Sequence, residues 1–237
     1  MPGGRSFKRV LLKLSGEIFA RTDFSCSESS DDLLETVISQ LAVLHRQQLE
    51  IAIVIGGGNI LRGRDTVDMD RATADQAGML GTVVNGLRLT DTLQNRALKA
   101  VHLSARAVPG IVAGYDVTTA REAIGRNILV LSGGTGNPFF STDSTAALRA
   151  VELHCELLLK GTNVDGVYSG DPKKDPEARR YPRLTYQQAL TEQLRVMDLT
   201  AFALCMEHRL PIQVFDLRQP DAIINIIDGK QIGSCVC

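Results

Sequence analysis

The chain has 237 residues, 44% of them hydrophobic and 22% charged, with a formal net charge of -1. That length buries a large core, as one big domain or two lobes, and the balanced charge excludes the global basic surplus that non-specific nucleic-acid binding needs. No stretch approaches the roughly 20 apolar residues of a membrane-spanning helix, and the apolar run near the N-terminus is too short for a signal peptide and is interrupted by Lys13. Five cysteines, an odd number without C-x-x-C spacing, point to a reduced cytoplasmic chain.

In chain order, the first predicted strand is "RVLLKL", ending in the turn "LKLSGE". A polar loop, "FARTDFSCSESSDD", leads to a helix near 31–48, then to the strand "IAIVI" and the turn "IGGGN". A long helix near 71–98, the strand "AVHLS" and a helix near 117–125 follow. The strand "NILVLS" ends in "SGGTGNPFFSTD", ahead of a helix near 142–153, and "CELLLK" ends in "LKGTNVDG". The polar, turn-rich segment Tyr168–Pro182 comes next, either an exposed functional loop or a solvated connection. Helices near 185–193, 198–208 and 219–227 surround the strand "PIQVF", and "GSCVC" closes the chain as a further strand. Continuous Val/Ile/Leu runs mark strands buried on both faces, and helical crossovers between them require a mostly parallel sheet. The expected fold is therefore α/β, a three-layer sandwich with helices on both faces of one central sheet. No repeat or linker divides it.

Ligands of such sheets sit beyond the carboxyl ends of the strands, where four Gly/Ser/Thr-rich turns of this chain fall. Backbone N–H groups and helix dipoles there favour anions. Two familiar phosphate signatures are absent: G-x-x-x-x-G-K-[ST] occurs nowhere, and neither "GGGNIL" nor "GGTGNPF" completes G-x-G-x-x-G. That disfavours a nicotinamide dehydrogenase. The four histidines show no metal-ligand spacing, so no zinc or other protein metal site is expected. Lys13, at a strand end beside Ser15 and Gly16, is placed either to neutralise phosphates during transfer or to snorkel at the surface.

The stretches "LLKLSGE", "VIGGGNILRG", "DQAGMLGTVVNGL", "GTGNPFFSTDSTAALRA", "LLLKGTNVDGVYSGDPKKDP" and "VMDLTAF" together resemble bacterial uridylate kinases, of the amino acid kinase fold family. The resemblance runs from about Arg9 to the C-terminus, and "GTGNPFF" followed by "TD" is its most specific element. It implies ATP and UMP giving ADP and UDP, with magnesium carried by ATP, in a cytoplasmic homohexamer subject to feedback by UTP. It further implies a single domain whose UMP-binding part spans roughly 1–150 and whose ATP-binding part spans roughly 151–237.

Carried onto this sequence, the resemblance assigns ATP to Lys13, Leu14, Ser15, Gly16, Gly58, Arg62, Thr162, Tyr168 and Asp171. It assigns UMP to Gly57, Asp75 and the run Thr135, Gly136, Asn137, Pro138, Phe139, Phe140, Ser141 and Thr142. A guanidinium at Arg62 suits phosphate, a carboxylate at Asp75 suits ribose hydroxyls, and Tyr168 suits packing on adenine or ribose. Asp143 and Asp198 are catalytic candidates beside Lys13, able to orient it or to hold magnesium through water, but each could instead cap a helix. Lys160 supplies a second phosphate cation or a strand-end salt bridge. UMP's phosphate oxygen is already ionised, so direct in-line transfer needs no strong general base.

Two alternatives stand beside this reading. One is a relative phosphorylating carbamate, aspartate or glutamate, against which "GTGNPFF" speaks. The other is a binding protein on the same fold without turnover. Two departures from the family pattern carry expectations of their own. Ala20–Asp32 lacks glycine and bears Glu28, Asp31 and Asp32, which predicts a weak or absent response to GTP. "SGGTGN" and "LKGT" have glycine where the family often has alanine, with small effects expected.

Overall fold

The computed structural model describes residues 7–19, 31–62, 68–170, 172, 174–175, 177–194 and 196–237. Asp171 and most of the loop before the first helix, with the GTP expectation resting on it, lie outside the described residues.

In chain order the elements are β1 (Arg9–Leu14), a 3-10 turn (Gly16–Phe19), α1 (Asp31–Arg46), β2 (Glu50–Ile55), α2 (Arg71–Asn95), β3 (Ala100–Ser104) and β4 (Ala113–Gly114). Then come α3 (Val117–Ala123), β5 (Ile128–Ser132), α4 (Thr142–Glu152), β6 (Leu157–Thr162), β7 (Val167–Tyr168), β8 (Arg180–Tyr181) and β9 (Arg183–Leu184). The chain finishes with α5 (Tyr186–Thr191), α6 (Leu199–Glu207), β10 (Ile212–Asp216), α7 (Ala222–Ile227) and β11 (Ser234–Val236). Among the described residues nine strands form one sheet in the order β4-β3-β5-β2-β1-β6-β10-β11-β9, while β7 and β8 make a separate antiparallel ribbon. Every pair in the large sheet is parallel except β10–β11.

Each central strand feeds two cores. Along β1, Val10, Leu12 and Leu14 join the layer that also buries Leu41, Leu89 and Ile223, from α1, α2 and α7. Leu11 joins the opposite layer, with Ala120, Ala147, Ala189 and Phe202 from α3, α4, α5 and α6. Successive side chains of a strand alternate faces, so Lys13 and Lys160 point into the layer of α4 and α6, along with Leu11 and Leu158. A fully buried leucine here stabilises the fold by about 1.5–3 kcal/mol.

The helices start where short polar side chains can satisfy free N–H groups. Asp70 accepts from Ala72 and Thr73 at the head of α2, Ser141 from Asp143 and Ser144 at α4, and Asp198 from Ala201 at α6. The helices α1 to α6 stop one to three residues before the sequence pattern ends, while α7 ends at Ile227 as expected.

Candidate functional site

The carboxyl ends of β1, β2 and β5 and the N-termini of α2 and α4 surround a cleft of about 570 Å³, within the range of small-molecule sites. Its floor is built by register. Lys13 on β1 lies directly beside Lys160 on β6. Asp143, in the first turn of α4, reaches down between them. Lys13 Nζ stands 3.1 Å from Asp143 Oδ1, and Lys160 Nζ donates to Asp143 Oδ2 at 2.7 Å and to the Val196 carbonyl at 2.6 Å. All three side chains are nearly buried.

Burial alone would raise the Asp143 pKa, but the ammoniums of Lys13 and Lys160 outweigh it and hold the carboxyl below its ordinary value. Burial lowers the Lys160 pKa and Lys13 adds to the lowering, while Asp143 acts against both. Two cations around one anion leave a net positive charge at the cleft floor. Asp143 Oδ1 faces Lys13 as an ion pair without hydrogen-bond alignment.

Two glycine turns form the walls, and α2 holds both. Asn85, fully buried in mid-helix, donates to the Gly56 carbonyl at 2.8 Å and to Asn59 Oδ1 at 2.7 Å. Thr82 accepts from the Gly133 N–H at 2.7 Å and donates to the Met79 carbonyl. Gly57 lies so close to α2 that an added Cβ would sit 2.6 Å from the Gly78 carbonyl. Gly133 has φ of +74°, and a Cβ there would meet Ser104 Oγ at 2.5 Å and the Ala105 nitrogen at 2.9 Å. Alanine therefore does not fit this turn in the present backbone, contrary to the small effect expected from sequence.

The "GTGNPFF" segment is anchored across the cleft. Asp75 is bound by Arg71 Nε at 2.9 and 3.0 Å, and it accepts the Phe139 N–H at 2.9 Å. Phe139 sits at φ +71°, an uncommon conformation for an aromatic residue, and is 68% exposed. Phe140 is half exposed. Neither ring is core; both stand at the mouth.

The structure gathers most of the sequence candidates around this cleft: Lys13, Ser15 and Gly16; Gly57, Gly58 and Arg62; Asp75; Asn137, Phe139, Phe140, Ser141, Thr142 and Asp143. Others lie apart from its lining. The Leu14 side chain points into the core, as alternation on β1 requires. Thr135 bonds to Asn137 within its own turn, the Gly136 carbonyl accepts from Arg106 Nε, and Pro138 does not line the cleft. Lys160 reaches the floor through Asp143. Thr162 donates to the Val164 carbonyl and Tyr168 to Asp165, so both shape the loop after β6. Asp198 was a candidate beside Lys13. It takes the cap role that the sequence left open, at the head of α6, and accepts from the hydroxyls of Ser141 and Ser144, steadying the head of α4 behind the cleft. Arg62 ion-pairs with Glu17, and its Nε donates to the Gly58 carbonyl.

Arg71, Thr82, Asn85 and Asn163 were not singled out from sequence. A signal for two of them exists: Thr82 and Asn85 are polar residues in a helix stretch rich in glycine, "GMLGTVVNG", where a close and hydrogen-bonded neighbour is the physical reason for such composition.

Residues 8–216 match the amino acid kinase family. The chain is 43% identical to a uridylate kinase of Saccharophagus degradans over 236 residues, covering 98% of this chain and 94% of that one. It is 42% identical to a uridylate kinase of Pseudomonas putida over 234 residues, covering 97% and 94%. Among solved structures it superposes on the UMP kinase of Ureaplasma parvum with a TM-score of 0.88, at 36% identity, covering 97% of this chain and 98% of that one. For the UMP kinase of Bacillus anthracis the TM-score is 0.90 at 31% identity, covering 98% and 96%.

Proposed function

The chain belongs to the amino acid kinase family and, within it, to the uridylate kinases, and from that premise we propose how it phosphorylates UMP: by direct in-line transfer of a phosphoryl group from ATP, giving ADP and UDP. The observation that carries the mechanism is the cluster of Lys13, Asp143 and Lys160 at the cleft floor. Phosphoryl transfer asks for positioning and for positive charge where the transition state spreads its negative charge. Two ammoniums on adjacent strands, held in place by one buried carboxylate, provide both. Asp143 is kept ionised by its lysines, so its role is to orient them and not to take a proton. None needs taking, because the acceptor phosphate is ionised near neutral pH.

In this reading UMP lies against the turn Thr135–Thr142, with Asp75 using its remaining lone pairs for the ribose hydroxyls and the two exposed phenylalanines flanking the base. ATP lies over Lys13–Gly16, Gly58 and Arg62 toward the loop after β6. Among the described residues no three His, Cys, Asp or Glu side chains gather to hold a metal ion. Magnesium would come with the ATP phosphates, and Asp143 Oδ1, left without a hydrogen bond, would be the acceptor offered to one of its waters. When bound, magnesium would supply positive charge against that of the phosphates.

Self-assembly, as a homohexamer, is part of the proposal. Leu80, Val84 and Leu87 recur at helical spacing on α2 and are 59%, 49% and 41% exposed, an apolar stripe that a second copy would cover. Sedimentation of the purified chain tests it. A cytoplasmic location and feedback by UTP, competing for the uridine site, complete the expectation; no helix among the described residues is long and apolar enough to cross a membrane.

The decisive experiment is a coupled assay for ADP with ATP and each nucleoside monophosphate. UMP-dependent turnover well above that with CMP or AMP is expected. Tight nucleotide binding without turnover would instead mean a binding protein.

A further inference from the structure

The loop Asn163–Gly166, between β6 and β7, turns its carbonyls to captors from three other parts of the chain. The Asn163 carbonyl accepts from Arg218 Nη2 at 2.7 Å. The Val164 carbonyl accepts from Thr162 Oγ1 at 2.6 Å. The Asp165 carbonyl accepts from Arg180 Nη1 at 3.2 Å, and the same nitrogen is 2.9 Å from the Asp165 carboxylate, whose other oxygen accepts from Tyr168.

Arg218 is itself held, since its Nε and Nη2 grip Asp216 at 2.6 to 3.2 Å. Asp216 ends β10, in register with Thr162 on β6. Asn163 lines the cleft, while Arg218, Arg180 and Asp216 do not. The guanidiniums therefore act on the cleft only through the loop that they hold.

We infer that Arg218 and Arg180 are positioning residues that clamp the loop Asn163–Gly166 in the shape that receives ATP. The inference rests on the reading above that ATP lies toward this loop. Neither arginine lines the cleft, so the clamp would govern ATP binding and leave the chemical step alone. A guanidinium presents several N–H donors in one plane, which lets Arg218 bond a carboxylate and a carbonyl together; lysine lacks that fork.

The test is steady-state kinetics of the full-length enzyme with ATP and UMP varied separately. Arg218→Ala and Arg180→Ala should each raise KM for ATP by about 3-fold or more, and together by about 10-fold, as expected for exposed charge-assisted hydrogen bonds. The kcat and KM for UMP should stay within about 2-fold, with Tm unchanged, since both arginines are substantially exposed. Arg218→Ala also frees the Asp216 charge, which could repel a triphosphate without any change in the loop. The pair Asp216→Asn with Arg218→Ala leaves the local charge balanced, and KM for ATP should remain raised in it. Return to the wild-type value would overturn the clamp in favour of simple charge repulsion. An unchanged KM for ATP in both single variants, or a rise in KM for UMP alone, would also overturn it. Absence of wild-type turnover with ATP and UMP would instead count against the proposed function itself.

Discussion

Replacing Asp143 by asparagine removes the single negative charge between two nearly buried ammoniums while keeping the side chain's shape. Lys13 and Lys160 each approach that carboxylate to about 3 Å, at 3.1 and 2.7 Å. Two ammoniums bound to one carboxylate are about 5 Å apart, and at an effective dielectric of about 20 their repulsion is about 3 kcal/mol. With the anion present this repulsion is offset; without it the fold bears the cost. Asp143→Asn should therefore lose about 2–4 kcal/mol of stability near neutral pH, the range for breaking a buried ion pair by removing one partner.

The loss should be pH-dependent with a defined sign. Lys160 already has a lowered pKa from burial, and without Asp143 it falls further below its unfolded value. The unfolded chain then binds more protons than the folded one, so the stability of the variant rises with pH as Lys160 gives up its proton. Urea unfolding of both proteins at several pH values above 7 measures this, and kcat should fall by about 10²–10³. ATP affinity should not weaken, because a negative charge has been removed from the neighbourhood of a triphosphate. A variant within about 0.5 kcal/mol of the parent, with no rise of its relative stability at higher pH, would refute the electrostatic account of the cluster.

Lys13→Ala should lower kcat by about 10²–10³ and leave the melting transition nearly intact, because Lys160 remains to pair with Asp143; near-normal turnover would remove Lys13 from the mechanism. Asp75→Asn should weaken UMP by roughly 1–3 kcal/mol and ATP far less, since Asp75 anchors Phe139 and Arg71 on the UMP side of the cleft; titration of each nucleotide decides, and equal losses would indicate a general defect. His102 has a pKa lowered by burial to about 4, so on acidification the unfolded chain takes up its proton first. Stability is then complete above about pH 6.5 and drains away toward pH 4, by about 1–2 kcal/mol once the residue's partial exposure is allowed for. The variant His102→Gln should lack that portion of the acid sensitivity in parallel melts.

The order of strands and helices and the position of the site were legible because they depend on composition within a few residues. Strands such as "RVLLKL" and "NILVLS" are sandwiched between two helical layers, so both faces must be apolar and the run is continuous. Helix starts near 71, 142 and 198 were legible from the pattern, and so was the cap at Asp198; the caps at Asp70 and Ser141 were not singled out. Glycine turns at strand ends marked the edge of the sheet where the cleft lies.

What tertiary structure alone decided is which side chains meet. Lys13 and Lys160 are 147 positions apart, and only the pairing of β1 with β6 makes them neighbours for Asp143 to join. Asp198 carried the same promise as Asp143 in the sequence. The packing of α6 against α4 turned it into a cap that steadies Ser141 and Ser144. Arg218 lies outside every motif, and its grip on Asn163 follows from β10 lying beside β6. The two-residue strands β4 and β9 have no pattern of their own and exist because a neighbouring backbone offers them partners. Burial and turn chemistry act through local composition, which a sequence displays directly. Register and side-chain pairing are contacts between segments distant along the chain, and they come into being only when the whole sheet has closed.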